Sequence, residues 1–313
     1  MKMVSNSTEI AHEFFPSNLM FRVYKDGRVE RVYKTQTIPP SNDPETGVQS
    51  KDVVSSPELG LSVRLFLPKI TNPALKKIPL LIYTHGGAFC IGSPFSPHYH
   101  EYLTSLVNKA NVIAVSVQYR TAPEHPLPIA YDDAWTSIKW IASHVNGDGP
   151  EPWLNEHADF EKVFLCGDSA GSNIAHNMTM RAKTDALVGV KIDGLLLMNP
   201  FFMNDKRDEL IEYIFPTSNG SNDPRLNPAS AVNELVGLPC SRVLVCVSEK
   251  DFLKNRGVAY YEAVKKSGWN GVIDLLEIPG EDHVFFLFKT SSQKAVDLLS
   301  QVSSFLNQAF SLT

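Results

Sequence analysis

The sequence of 313 residues lacks any apolar run approaching roughly 18 residues, so it predicts no membrane-spanning helix. It also has no apolar segment near its N-terminus of the kind that a secretory signal requires. Cysteine is scarce, and the four cysteines are too few for a disulfide scaffold: Cys90, Cys166, Cys240 and Cys246. Two of them lie in apolar runs typical of buried thiols. We therefore expect a cytoplasmic protein with reduced cysteines.

The sequence also lacks a basic block. Its 29 lysine and arginine residues are outnumbered by 34 aspartate and glutamate residues, which gives a net charge of −5 and a pI near 6.0. An anionic partner would gain no electrostatic attraction, so we exclude nucleic acid and membrane surfaces as partners. The 43% hydrophobic content is ordinary for a globular protein. We predict a single domain over residues 1–313.

The order of apolar and polar segments indicates the fold class. Alternation around the Asp26-Gly27 turn predicts a hairpin over 21–32, preceded by a partly apolar arm, whereas the Pro- and Ser-rich residues 36–58 predict an irregular connector. Short apolar runs predict strands at 61–67, 80–84, 112–117, 162–166, 194–198, 243–247 and 272–278. Helical patterns cover 131–144, 172–183, 256–266 and 294–309. This alternation predicts an α/β fold with a mostly parallel sheet covered by helices on both faces.

Ser169 lies in the pentapeptide Gly-Asp-Ser-Ala-Gly at residues 167–171, between a predicted strand and a helical pattern. Glycines on either side allow a sharp, strained turn that lifts the hydroxyl clear of the sheet, and the following helix directs its positive end there. This context predicts that Ser169 is a nucleophile. A flexible Gly/Ser loop is the alternative.

A second motif, His-Gly-Gly-Ala-Phe at residues 85–89, follows the predicted strand 80–84. Consecutive glycines can present bare backbone N–H groups to a developing oxyanion, and each such donor contributes roughly 2.7–4 kcal/mol in a dry site. The candidate donors are the N–H groups of Gly86, Gly87 and Ala170. A simple turn after a strand is the alternative.

A serine nucleophile needs a base and an acid that orients the base. His283 follows the last predicted strand and Asp251 follows the preceding one, so both are expected at the same sheet edge as Ser169. The carboxylates of Asp282 and Glu249 lie close by in sequence and are alternatives to Asp251, which could itself cap a helix.

The other histidines form no metal-binding pattern. His98 and His100 are two residues apart with no third ligand nearby, which favours a surface position at the start of a helix. His125 lies in a proline-rich loop, and His176 lies one turn into the helix after Ser169, where an interior position is expected. No metal or organic cofactor is implied.

Three segments resemble signatures of the hormone-sensitive-lipase-like α/β-hydrolases, in particular their plant carboxylesterase branch: residues 85–90, 119–133 and 167–176. Residues 25–31 and 43–48 are similar to the N-terminal signature of that branch. The resemblance extends from about residue 21 to 306. It implies the α/β-hydrolase fold, a catalytic triad of Ser169, Asp251 and His283, and a monomer or weak homodimer.

Members of this branch differ in activity. Esterases keep Ser, Asp and His, the gibberellin receptor has lost the catalytic histidine, and 2-hydroxyisoflavanone dehydratase has Thr at the nucleophile position. This chain keeps all three residues, which favours a serine carboxylesterase that hydrolyses a small-molecule ester through an acyl-enzyme on Ser169. Elimination, cyclisation or acyl transfer on a plant specialised metabolite, and a catalytically silent small-molecule receptor, are the alternatives.

The polar residues 202–232 interrupt the strand-helix alternation and predict an insertion above the sheet, with a short helix near 210–214. We expect this insertion and the arm of about residues 1–20 to form a small lid. Apolar side chains expected to line the substrate pocket are Phe89, Ile91, Phe201, Phe202, Ile214, Phe215 and Val284.

Overall fold

The computed structural model describes residues 8–14, 20–71 and 77–308. Parts of the predicted arm, residues 1–7 and 15–19, lie outside the described residues, as does the end of the last predicted helix. The strands are β1 (Ile10–Phe14), β2 (Phe21–Tyr24), β3 (Val29–Arg31), β4 (Gln49–Ser56), β5 (Leu61–Leu67), β6 (Ile78–Thr84), β7 (Ile113–Val117), β8 (Ala158–Asp168), β9 (Ile192–Met198), β10 (Arg242–Ser248) and β11 (Val272–Ile278).

Strands β4 to β11 form one eight-stranded sheet in the order β11-β10-β9-β8-β6-β7-β5-β4. The strands from β11 to β7 pair in parallel, and only β5 and β4 join antiparallel. The prediction of a mostly parallel central sheet is therefore confirmed. The carboxyl ends of its parallel strands meet at one edge, which is where ligands bind in such folds.

Helices cover both faces of the sheet: α1 (Pro97–Ala110), α2 (Ile129–Ala142), α3 (Pro152–His157), α4 (Ala170–Arg181), α5 (Glu209–Ile214), α6 (Val232–Leu235), α7 (Lys254–Lys266) and α8 (Gln293–Asn307). Successive strand residues point to opposite faces. Thus Leu81 and Tyr83 join the apolar cluster under α1 and α8, whereas Leu80 and Ile82 join the cluster under α2, α4 and α7. None of the described helices is long and apolar enough to span a bilayer.

Residues 36–58 were predicted to be irregular, but they contain the edge strand β4, so this prediction was wrong. Six of the strand's eight side chains are exposed or half-buried, so its sequence carries no apolar run. Opposite it on β5, the buried guanidinium of Arg64 donates to both carboxylate oxygens of Asp52, at 2.7 and 2.9 Å. A charged pair thus joins this edge strand to the sheet where apolar contacts are few.

The predicted N-terminal hairpin is present. Strands β2 and β3 pair antiparallel around the turn at Gly27, which has φ +83°, and β1 pairs with β2. Arg31 connects this small sheet to the main body because its guanidinium donates to the backbone oxygens of Cys90 and Ala122 and pairs with Glu124.

Residues 202–232 stand apart from the central sheet, as predicted, and α5 matches the short helix expected near 210–214. Hydrogen bonds at both ends and in the middle attach this insertion to the body, including one from the Arg256 guanidinium to the Phe202 carbonyl at 3.1 Å. The Leu127 N–H donates to the Ile214 carbonyl at 2.8 Å, and the Asn173 amide donates to the Arg225 carbonyl at 2.8 Å.

Candidate active site

Ser169 occupies the single residue between β8 and α4, with φ 50° and ψ −119°. This backbone conformation is costly for a residue with a side chain and is typical of functional sites. The flanking glycines are required by close backbone contacts. A Cβ atom at Gly171 would lie 2.0 Å from the Thr84 carbonyl oxygen, and one at Gly167 would lie 2.3 Å from the Gly171 carbonyl carbon. The turn therefore holds the Ser169 hydroxyl at the carboxyl edge of the sheet.

The structure brings together the three side chains predicted to form a triad. The Nε2 atom of His283 lies 3.0 Å from Ser169 Oγ, and its Nδ1 atom lies 2.8 Å from Asp251 Oδ2. Asp251 is also held by the Asn199 amide, which donates to Oδ2 at 2.8 Å, and by the Leu253 N–H, which donates to Oδ1 at 2.8 Å. This arrangement orients Nδ1–H toward the carboxylate and leaves Nε2 to accept the serine proton.

The alternative carboxylates take other positions. Glu249 accepts a hydrogen bond from the Gly280 N–H at 2.6 Å, and Asp282 is exposed. Asp251 is buried and is the carboxylate that bonds to His283. Its position after β10, with His283 after β11, matches the strand-end placement expected from the sequence.

The loop after β6 corrects one predicted oxyanion donor. The Gly86 N–H is already engaged, because it donates to Tyr99 Oη at 2.9 Å and to Asp168 Oδ1 at 3.0 Å. Gly87 and Ala88 instead line the cavity beside Ser169, and their N–H groups have no acceptor among the described residues. Ala88 was missed because only the two glycines of this loop were considered as donors, although any non-proline residue carries the same N–H donor.

Ala170 is the first residue of α4, so its N–H has no acceptor within the helix. It remains, with Gly87, a candidate donor to an oxyanion. Ala170 directly follows Ser169, and Gly87 lies in the loop that lines the same cavity. The N-terminal end of α4 adds a partial positive charge at the same place.

Asp168 links the serine turn to the glycine loop, a role that the sequence did not reveal. One of its buried carboxylate oxygens accepts from Tyr83 Oη at 2.7 Å and from Gly86 N, and the other accepts from Tyr99 Oη at 3.1 Å. Burial raises the pKa of Asp168 to about 6, although these three hydrogen bonds favour the charged form.

The raised pKa of Asp168 predicts a pH-dependent stability difference between the wild type and an Asp168→Asn variant. The unfolded carboxyl loses its proton near its ordinary pKa of 3.8, whereas the folded one holds it to about 6. The stabilisation that the protonated Asp168 gives the folded state is thus complete below about pH 4 and is lost as the pH rises to about 6. Relative to the variant, the free energy of unfolding of the wild type should fall by about 3 kcal/mol over that range.

Urea unfolding of both proteins from pH 3.5 to 7, in steps of roughly half a pH unit, measures this difference. Burial lowers the pKa of His85 to about 4, which gives an opposite pH dependence in the same range, but this contribution is common to both proteins. A stability difference that stays constant with pH would contradict the raised pKa of Asp168.

A cavity of about 450 Å³ contains Ser169 and His283 and is otherwise mostly apolar. Four of the predicted pocket residues line it: Phe89, Ile91, Phe201 and Val284. Met20 from the N-terminal segment, and Leu210 and Ile211 from the insertion, also line it. Both predicted lid segments therefore contribute to the cavity, while their movement as a lid stays a prediction.

Three residues predicted to line the pocket pack elsewhere. Phe202 stacks on Tyr260 with ring centroids 4.8 Å apart, and Phe215 meets the edge of Tyr131 at 6.4 Å. Ile214 is fully buried at the end of α5. These three predictions were wrong because the sequence does not specify which way a side chain in an irregular insertion points.

The structure corrects the predicted surface position for His100, which is buried, whereas His98 lies half-buried at the start of α1. The ring of His98 lines the cavity, 5.4 Å from the ring of Phe288, and burial lowers the pKa of His98. His100 is buried beside Arg64, with its Nδ1 3.3 Å from the guanidinium. Within the described ranges, no group of three or more His, Cys, Asp or Glu side chains is arranged to hold a metal ion.

Comparison with known proteins gives consistent matches. A family model described as "alpha/beta hydrolase fold" matches residues 81–287. The chain is 48% identical over 320 residues to "Probable carboxylesterase 5" of Arabidopsis thaliana, covering 96% of this chain and 99% of the relative. It is 42% identical over 324 residues to "2-hydroxyisoflavanone dehydratase" of Glycyrrhiza echinata, covering 96% of this chain and 98% of the relative.

Among solved structures, the chain is similar to a hyperthermophilic esterase from the archaeon Pyrobaculum calidifontis. The TM-score is 0.68 at 25% identity, and the match covers 82% of this chain and 85% of the other. The similarity therefore extends over most of both chains.

Proposed function

The chain belongs to the α/β-hydrolase family and to its branch of plant carboxylesterases and 2-hydroxyisoflavanone dehydratases, and on that premise we propose that it is a serine carboxylesterase acting on small-molecule esters. One observation carries the proposal. Asp251, His283 and Ser169 form a continuous hydrogen-bonded chain, with distances of 2.8 and 3.0 Å, that ends in a mostly apolar cavity. This is the geometry of nucleophile, base and orienting acid that acyl transfer requires.

In the first half of the proposed reaction, Ser169 Oγ attacks the ester carbonyl carbon while His283 Nε2 accepts the serine proton. The negative charge then forms on the former carbonyl oxygen, where the N–H groups of Gly87, Ala88 and Ala170 can stabilise it. Collapse of this intermediate breaks the bond to the alcohol oxygen, which takes the proton from His283. An acyl group remains on the serine.

In the second half, a water molecule attacks the acyl carbon and gives a proton to His283. The carboxylic acid leaves as the proton returns to Ser169 Oγ, which restores the starting site. Asp251 stabilises the imidazolium that forms in each half and keeps the imidazole in one tautomer. Every group in this cycle belongs to the protein or to the two reactants.

The test combines turnover with covalent labelling. The wild type should hydrolyse p-nitrophenyl esters from acetate to octanoate, and the preferred chain length will report the size of the cavity. A fluorophosphonate should react with Ser169 and stop turnover, with the adduct located by peptide mass spectrometry. A folded protein that neither hydrolyses any of these esters nor forms an adduct on Ser169 would refute the proposal.

Because the relatives include dehydratases, whose reaction is an elimination, hydrolysis must also be distinguished from elimination. Hydrolysis places a solvent oxygen atom in the carboxylic acid product, whereas elimination of an acid from the substrate does not. In water enriched in heavy oxygen, the proposed enzyme should yield a labelled carboxylate. An unlabelled carboxylate accompanied by an alkene would instead establish elimination.

The oxyanion loop can be tested with Gly87→Ala. A Cβ atom at this position would lie 2.1 Å from the Ile91 carbonyl oxygen, and the residue has φ +104°, so the loop must shift its N–H groups. We expect kcat for p-nitrophenyl acetate to fall by about a hundredfold or more. Gly27→Ala is the matched control, because Gly27 also has positive φ but a Cβ atom there meets nothing within 4 Å. A normal kcat in Gly87→Ala would contradict this role of the loop.

A further inference from the structure

Only three of the phenylalanine, tyrosine and tryptophan side chains in the described residues are exposed, and all three line the cavity that contains Ser169. They are Tyr33, Phe252 and Phe288, with 46, 71 and 69% of their surface exposed. The other exposed large apolar side chains are aliphatic and lie outside the cavity wall. Single exposed apolar residues are common, but aromatic rings collected at one cavity indicate a surface that binds an apolar ligand.

Two of these rings lie on the histidine side of the cavity. Phe252 directly follows Asp251, and its ring centroid is 5.4 Å from that of His283, with the planes tilted by 50°. Phe288 follows His283 by five residues, and its ring is 5.4 Å from that of His98, tilted by 37°. In the proposed reaction, His283 must deliver a proton to the alcohol oxygen, so the alcohol portion of the ester begins on this side.

The charge of the wall restricts the ligand further. No lysine or arginine lines the cavity in the described part of the chain. Of the two carboxylates that do, Asp168 uses both oxygens to accept hydrogen bonds, and Asp208 accepts from the Ile211 N–H and lies 4.0 Å from Arg256. A carboxylate, phosphate or sulfate on the substrate would find no cationic partner here, so an uncharged group is favoured.

We propose that Phe252 and Phe288 bind a flat, uncharged aromatic ring in the alcohol portion of the ester, at the mouth of the cavity. The inference rests on the proposed esterase function and specifies its substrate class. Aromatic rings prefer offset or edge-to-face contacts with one another and gain more from them than from area burial alone. The two exposed rings offer such contacts to an alcohol that extends past the enclosed space around Ser169.

The test uses two acetate esters that differ only in the outer ring of the alcohol: biphenyl-4-yl acetate, whose outer ring is flat, and 4-cyclohexylphenyl acetate, whose outer ring is not. The wild type should have a kcat/KM about tenfold higher for the biphenyl ester, mainly through a lower KM. Phe288→Ala and Phe252→Ala should bring this ratio close to one. Phe288→Leu, which keeps an apolar side chain without a ring, should do the same.

Val188→Ala is the control, because Val188 is 89% exposed outside the cavity wall and its replacement should change neither rate. Equal kcat/KM values for the two esters in the wild type would overturn the inference. A ratio that persists in the alanine variants would do so too, and a wild-type ratio in Phe288→Leu would overturn the requirement for an aromatic ring at that position.

Failure of the proposed function is distinguishable from failure of this inference. If phenyl acetate is not hydrolysed and Ser169 is not labelled, the esterase proposal fails. The binding of an aromatic ring by Phe252 and Phe288 can then still be tested by calorimetry with 4-phenylphenol. Its affinity should be about tenfold weaker in Phe288→Ala than in the wild type. Equal affinities would overturn the role of Phe288.

Discussion

Replacing Ser169 with alanine should lower kcat for p-nitrophenyl ester hydrolysis by about 10⁶-fold. The change removes the one oxygen atom that lies 3.0 Å from His283 Nε2 in the cavity, so no acyl-enzyme can form. The oxyanion donors and the apolar wall stay in place. They should leave a residual acceleration of about 10³–10⁴ over the reaction in water.

The fold should survive this substitution, because alanine has the same backbone restrictions as serine at φ 50° and keeps the turn as strained as before. Measured melting temperatures should therefore be similar. Ser116→Ala is the matched control: Ser116 is buried in β7, its hydroxyl has no hydrogen-bond partner in the described structure, and it lies away from the cavity wall. More than about one hundredth of the wild-type rate in Ser169→Ala would show that the nucleophile lies elsewhere.

Replacing Asp251 with asparagine should lower kcat by about 10⁴-fold. The carboxylate accepts from His283 Nδ1, from the Asn199 amide and from the Leu253 N–H, so donors surround it. The NH₂ group of an asparagine must face one of them. If it faces His283, the imidazole has to present an unprotonated Nδ1 and carry its proton on Nε2, which can then no longer accept from Ser169.

Two comparisons make this result specific. Asp52→Asn alters a carboxylate that pairs with the buried Arg64 at the sheet edge, so it should lower stability without changing kcat. In the double variant with Ser169→Ala, the Asp251→Asn substitution should cause no further loss, since both residues act in one proton-transfer unit. Additive losses in the double variant would mean that Asp251 acts independently of the serine.

Much of the catalytic arrangement could be predicted from the sequence because parallel strands place their carboxyl ends at one edge. Locating the strands before Ser169, Asp251 and His283 was therefore enough to expect that these residues meet, even though they lie far apart in the chain. The apolar runs of central strands are buried on both faces and are readily recognised.

The features that were missed depend on contacts rather than on local pattern. Strand β4 is polar because it lies at the edge and exposes much of its surface. The N–H of Gly86 is unavailable because Tyr99 and Asp168 approach it from distant parts of the chain. Phe202 directly follows the cavity residue Phe201, and Phe215 follows the helix that carries Ile211, yet their rings turn toward Tyr260 and Tyr131. No spacing in the sequence encodes these directions.

The attachment made by Arg31 has a consequence for how this molecule can diversify. Its guanidinium donates to the main-chain oxygens of Cys90 and Ala122, which every amino acid possesses, so side-chain substitutions at these two positions leave those two hydrogen bonds intact. Met20 and Tyr33 line the cavity from the segment that Arg31 secures, and Leu210 and Ile211 do so from the insertion. Substitutions in these peripheral segments can therefore change which substrate fits the cavity without altering Ser169, Asp251 and His283 at the edge of the sheet.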